Sequence, residues 1–203
     1  VEKQERIRNA IRPFVPNGTA DGLATQIVQH RCHLTITRDR RTKLGDYRHP
    51  INGQGHRISV NGSLNEFSFL ITFLHELAHL INWERHGRKV SPHGKEWKQA
   101  FKETMQPYLN ETVFPTDILT VLQQHMKDPK SATVRDMHLV RALRKYDEPS
   151  HLVHLEELPE GAEFLLSGRR FVKGEKLRKR FRCKEAATGR IYLVSAIAEV
   201  EHA

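Results

Sequence analysis

The chain has 203 residues, 38% of them hydrophobic, which is enough to bury a core without covalent staples. Its two cysteines, Cys32 and Cys183, stand far apart in no paired motif, which argues against a disulfide scaffold and fits a reducing cytoplasm. No apolar run reaches the length of a membrane span and no secretory signal is visible, so no membrane partner is expected.

Residues 2–12 read as a short polar helix that stops before Pro13. Thr19 or Asp21 opens a second helix to about His30, with Leu23, Ile27 and Val28 apolar. The segment 33–38 alternates as a strand that puts Leu34 and Ile36 on one face. A charged turn at 38–43 leads into a second strand at 43–48, and Asn52, Gly53 and Gly55 form another turn. Residues 56–61 alternate again, burying Ile58 and Val60. Two helices and a small three-stranded sheet therefore come first.

The next helix carries the strongest signal. Phe67, Leu70, Ile71, Leu74, Leu77, Ala78 and Ile81 recur at helical spacing, Asn65 caps the start and Gly87 stops the end. Phe69, Phe73 and Leu80 make it apolar on most sides, as in a central buried helix. Inside it lies His75-Glu76-x-x-His79. Residues i and i+4 share one helix face, so both imidazoles can bind one Zn²⁺. Glu76 then stands where a general base for hydrolysis is needed. Buried polar groups of this kind are costly unless something satisfies them.

Catalytic zinc usually takes three protein ligands. The metzincin pattern fails, because Asn82 and Arg85 stand where it requires Gly and His. His86 lies about 10 Å along the axis beyond His79, too far to share the ion. Glu96 and Glu103 fall in a helix near 95–105, with Trp97, Ala100 and Phe101 on its apolar face. His93 lies in the turn Ser91-Pro92-His93-Gly94 that leads into that helix. His93 is the candidate chosen, although an isolated His-Gly in a turn reads more plainly as a loop histidine without a partner, and Glu103 is the acidic alternative.

Thr116 caps a further helix to about Lys127, with Ile118, Leu119 and Leu122 apolar, and Asp128-Pro129 breaks it. A helix at 136–146 puts Met137, Val140 and Leu143 on one face. Residues 147–150 mark a boundary between a domain at 1–147 and a small all-β module at 148–203. In the module, strands are expected at 151–155, 162–166, 169–173, 177–184 and 190–194, with turns that include Gly174. Between Arg169 and Arg190 there are ten Lys/Arg against two Glu, an excess of eight within a formal net charge of +9. By period two, Arg178, Arg180, Arg182 and Lys184 share one strand face, and Phe181 and Cys183, with Leu177, share the other. Four aligned cations suit nucleic-acid contact; the plainer reading is a strand guarded by charge.

His75-Glu76-Leu77-Ala78-His79 followed by His93-Gly94-Lys95-Glu96-Trp97 resembles the SprT/Spartan family of metalloproteases. Lys43-Leu44-Gly45 and Ile58-Ser59-Val60-Asn61 carry the likeness upstream, and it covers roughly residues 15–110. The resemblance implies an α+β, zincin-like protease domain, with His75, His79 and His93 as ligands of one catalytic zinc and Glu76 as the base. It further implies a peptide substrate added as a strand to a sheet edge, and substrates that are proteins on, or crosslinked to, DNA. Many relatives end in a zinc ribbon built on CxxC pairs, whereas here Cys183 is followed by Ala186 at the second position, so a second zinc is not expected. The expectation is a cytoplasmic zinc endopeptidase with protein substrates and a DNA partner, nucleoid-associated if DNA is bound. The alternative is a nucleic-acid-binding protein whose metal site is structural or vestigial.

Overall fold

The computed structural model describes residues 2–38, 40, 43–132 and 136–203. Part of the charged turn expected at 38–43, namely Asp39, Arg41 and Thr42, lies outside the described residues. The chain folds as two units, 1–147 and 148–203, and the elements are mixed α and β. In the first unit the order is α1 (Glu2–Ile11), α2 (Ala20–Gln29), β1 (His33–Thr37), β2 (Gly45–Arg48), β3 (Arg57–Asn61), α3 (Glu66–His86), α4 (Lys95–Met105), α5 (Thr116–Lys127) and α6 (Met137–Arg144).

The core is organised on α3. Asn65 starts it by accepting a hydrogen bond from the Ser68 N–H at 2.9 Å, which satisfies one of the donors a helix start leaves unpaired. Gly87, at φ 60, ends it and returns its own N–H to the Trp83 carbonyl at 2.7 Å. Fourteen of the 21 residues of α3 are buried, so the helix is surrounded instead of lying on a surface. Trp97 and Phe101 of α4, Leu23 and Ile27 of α2, and Ile118 and Leu122 of α5 belong to the same buried cluster.

The sheet has the order β1-β3-β2. β1 runs parallel to β3 and β2 antiparallel to it. Ile58 and Val60 of β3 are buried, as the alternation requires. The Asn52-Gly53 turn is real, with both residues at positive φ (50° and 77°) inside a bridge from Ile51 to Gln54. β3 is central, so β2 is an edge, and this edge packs beside α3.

The second unit is an antiparallel sheet of β4 (Leu152–His154), β5 (Glu163–Leu166), β6 (Arg169–Leu177), β7 (Arg180–Glu185), β8 (Ile191–Ser195) and β9 (Glu199–His202), ordered β4-β9-β5-β6-β7-β8. Phe164, Phe171, Phe181 and Val200 are buried, and so are the methylene-rich Lys173 and Glu185. Lys173 places its ammonium 4.0 Å from the Phe181 ring centre and donates to the Leu158 carbonyl.

Three expectations fail in this unit. Gly174 is not a turn: β6 runs through it with a register shift between Lys173 and Lys176, and a Cβ there would meet the Arg182 carbonyl at 2.7 Å. Glycine in a strand marks such a bulge and close backbone approach. The turn falls instead at 178–179, where Arg178 takes φ 44. Leu177 pairs directly with Arg180 and is 38% exposed, so it lies on the charged face and not with Phe181 and Cys183. The final strand β9, which joins β4 to β5, was also missed.

Candidate metal centre and substrate cleft

α3 presents His75 and His79 one turn apart, and the turn before α4 brings His93 to them. Their ligand-capable nitrogens all lie within 4.8 Å of one another, and Nε2 of His79 is 3.0 Å from Nε2 of His93. Nitrogens around a tetrahedral zinc stand about 3.4 Å apart, given zinc–nitrogen bonds of about 2.0–2.1 Å. The set therefore has the donor type, number and spacing of a three-histidine site. Burial pushes His75 down to about 3, and His79, His93 and His125 add to the effect. Burial and then His93 bring His79 down to about 4. Both rings are thus neutral at physiological pH, the form that offers a lone pair to a metal.

Trp97 is fully buried and packs against all three imidazoles, with ring centres 4.7 Å from His75, 5.3 Å from His79 and 4.8 Å from His93. It fixes their orientation from the side of α4. Gly94, at the start of α4, lets the chain turn tightly: a Cβ there would sit 3.1–3.3 Å from Glu96 and Ser91 atoms. The acidic alternative does not converge on the histidines. Glu103 pairs with Arg85 at 2.8 Å and with Gln99 at 2.9 Å.

Glu76 points to the other side of the stripe, against β2. A Cβ on Gly45 would meet Thr72 Cγ2 at 2.7 Å, Glu76 Oε1 at 2.8 Å and Glu76 Cγ at 2.9 Å. Only glycine allows this approach. Burial raises the Glu76 carboxyl to about 7 and the neighbouring Asp46 charge adds to that, while the Tyr47 backbone N–H, Lys43 and Arg40 oppose it. The carboxyl is therefore close to half-protonated near neutral pH, which suits a group that accepts and returns a proton.

Gly45, Asp46, Tyr47, His49, His75, Glu76, His79, Trp83, Arg88 and His93 line one cleft of about 560 Å³. Tyr47 stacks parallel to His79, with centres 6.4 Å apart, and its hydroxyl bonds Nδ1 of His56 at 2.9 Å. Sequence reading missed Tyr47, His49 and Trp83. A signal was present: Trp83 continues the four-residue stripe of His75 and His79, and Gly45, Tyr47 and His49 alternate. The pair of buried His125 with Asp136 (2.9 Å) carried no pattern that would have announced it.

Of the four cations expected on one strand face, the structure keeps three together. Arg180, Arg182 and Lys184 are exposed along β7, while Phe181, Cys183 and Glu185 alternate inward. Arg178 is displaced into the hairpin turn. Arg182 also pairs with Glu175 of β6 at 3.0 Å. Cys32 and Cys183 are both buried and unbridged, and burial holds the Cys32 thiol up at about 12.

Among the described residues no helix is long and apolar enough to cross a membrane. Residues 21–118, which span β1 to β3, α3, the His93 turn and α4, match the SprT-like family. No curated protein and no solved structure matches the chain.

Proposed function

Residues 21–118 belong to the SprT-like family, and on that premise we propose that the chain is a zinc-dependent endopeptidase with a zincin-like catalytic unit, acting on proteins bound or crosslinked to DNA. The observation that carries the reading is the convergence of three histidines, His75 buried and His79 and His93 half-buried, with His75 and His79 held neutral, beside a glutamate whose carboxyl is raised to about 7. His75, His79 and His93 would hold the ion. Zinc bound there would acidify a water and polarise a substrate carbonyl.

The rest of the chemistry belongs to the chain. Glu76, pinned between Gly45 and the Tyr47 N–H, takes a proton on its carboxylate and returns it to the leaving amine. β2 offers the backbone groups of an edge strand along the cleft, so an extended peptide can add to it as a further strand. Backbone pairing of this kind tolerates many sequences. Burial of His75 and Trp97 keeps water from the far side of the site.

The DNA half of the reading rests on the module. Arg180, Arg182 and Lys184 form an exposed row that can neutralise phosphates and release counterions. Co-location on DNA would then choose the substrate. The same row favours a second reading, a DNA-binding protein without turnover.

Elemental analysis of protein prepared without chelator tests the centre. About one zinc per wild-type chain and a large loss in His93→Ala are expected. A His93→Ala chain that keeps its zinc would remove His93 from the site. A zinc-loaded wild type that binds DNA and cleaves neither casein nor histone would favour the second reading.

A further inference from the structure

The cleft extends beyond the histidines, and its far end holds a cluster with no part in the proton chemistry. His75, His79 and Trp83 succeed one another at four-residue steps on one face of α3. Across the cleft the alternate residues of β2 and its extension keep step with them. Gly45 lies against Thr72 and Glu76, Tyr47 stacks on His79, and His49 stacks on Trp83 at 4.1 Å with planes 22° apart. Four helix residues advance about 6 Å and two strand residues about 6.6 Å, so the two walls stay in register over three steps.

Arg88 closes this end. Its guanidinium lies 5.7 Å from the Trp83 ring centre and donates to Nε2 of His49 at 3.2 Å. Other cations near the cleft and on α3 have carboxylate partners: Lys43 and Arg48 both reach Asp46, and Arg85 pairs with Glu103. Arg88 is in no ion pair among the described residues. An arginine offers only donors, so the His49 nitrogen accepts and brings no negative charge. The helix-end carbonyl of Trp83 is already served by Gly87. The result is an exposed cation lining the cleft, anchored by His49 and Trp83, with donors left over. A guanidinium fork held this way matches a carboxylate, and the stacked indole and imidazole offer a flat surface to methylene groups.

Resting on the protease reading, we propose that Trp83, His49 and Arg88 form a subsite that selects an acidic side chain, glutamate above aspartate. The substrate residue it takes stands two positions to one side of the scissile bond. The offset follows from the register: Trp83 is one step beyond His79, and one step is two residues of an extended peptide.

The test uses peptides matched except for Glu or Gln two residues from the cut, on each side in turn. Wild type is expected to favour Glu on one side by about tenfold in kcat/KM. Arg88→Gln should bring that ratio close to one, Arg88→Lys should keep part of it, and Arg88→Glu should favour Lys in its place. Binding is read separately in Glu76→Gln by the change in tryptophan fluorescence, with the same preference expected and its loss expected in Glu76→Gln/Arg88→Gln. Cleavage by wild type without Glu preference on either side overturns the subsite and leaves the protease. A Glu preference that survives Arg88→Gln overturns the role of Arg88. Preferential binding of the Glu peptide without any cleavage keeps the subsite and overturns the protease, and neither binding preference nor cleavage overturns both.

Discussion

β2 and β7 are both short strands with polar residues, and they present opposite kinds of surface. β2 is an edge whose inward residues, Gly45 and Tyr47, touch α3, and whose outer side pairs with no other strand among the described residues. β7 is central, with β6 and β8 taking its backbone on both sides. It can recognise a partner only through the side chains Arg180, Arg182 and Lys184. Backbone recognition is directional and indifferent to sequence, whereas side-chain charge is long-ranged and screened by salt. The proposed function, cleavage of proteins held on DNA, would use both kinds.

Removing the metal should have the largest effect on the first region. A chelator is expected to abolish cleavage, and activity should return with zinc. The chelated chain should also become acid-sensitive in a defined window. The folded-state values of His75 and His79 lie below that of an unfolded histidine, about 6.5. Their contribution is then present above about 6.5 and is lost as pH falls toward about 4 for His79 and about 3 for His75. Denaturant melts of chelated protein at pH 7 and pH 4.5 should show the drop, and zinc-loaded protein at pH 7 should be more stable than either. Equal stability of the chelated protein at both pH values would contradict the burial of neutral histidines.

Gly45→Ala sharpens the role of β2. The added methyl has no room beside Thr72 and Glu76, so Glu76 must shift. Cleavage should fall by about tenfold to a hundredfold with zinc retained, and stability by about 1–3 kcal/mol. A full-activity Gly45→Ala chain would show that β2 does not position the base.

The triple change Arg180→Gln, Arg182→Gln and Lys184→Gln addresses β7. The slope of log K for DNA against log salt should decrease by about 2–3, while cleavage of a free peptide is unaffected. The ion pair of Arg182 with Glu175 puts the expected decrease nearer the lower figure. An unchanged slope would move DNA contact elsewhere. The smallest effect is expected from Asn65→Ala, which removes the α3 cap and should cost about 1 kcal/mol in thermal or chemical melts.

Much of the first unit is readable from local rules. The spans of α3, α4 and α5 follow from the apolar period, with Asn65 and Gly87 bounding α3, because a buried helix imposes its pattern on every turn; Thr116 is no cap, since Pro115 holds that position and Thr116 is the first residue of α5. His93 shows the limit of such rules: nothing in a His-Gly turn says what it faces, and only the folded loop brings it within 4.8 Å of the other two. Trp83 and His49 are 34 positions apart, and their stack arises from a strand-to-helix register that no single segment encodes. In the second unit Gly174 misled because the same residue serves turns and bulges. The choice was made by the Arg182 backbone across the sheet, and Arg178 accepted the positive φ that a glycine would have been expected to take.

In the proposed mechanism Glu76 moves the proton at a zinc site made by three histidines. Zinc content and casein cleavage measured side by side on wild type and Glu76→Gln test it most directly. About one zinc in both chains, with cleavage in the variant lower by about a thousandfold or more, is the predicted result. A zinc-loaded Glu76→Gln chain that cleaves as fast as wild type would contradict it.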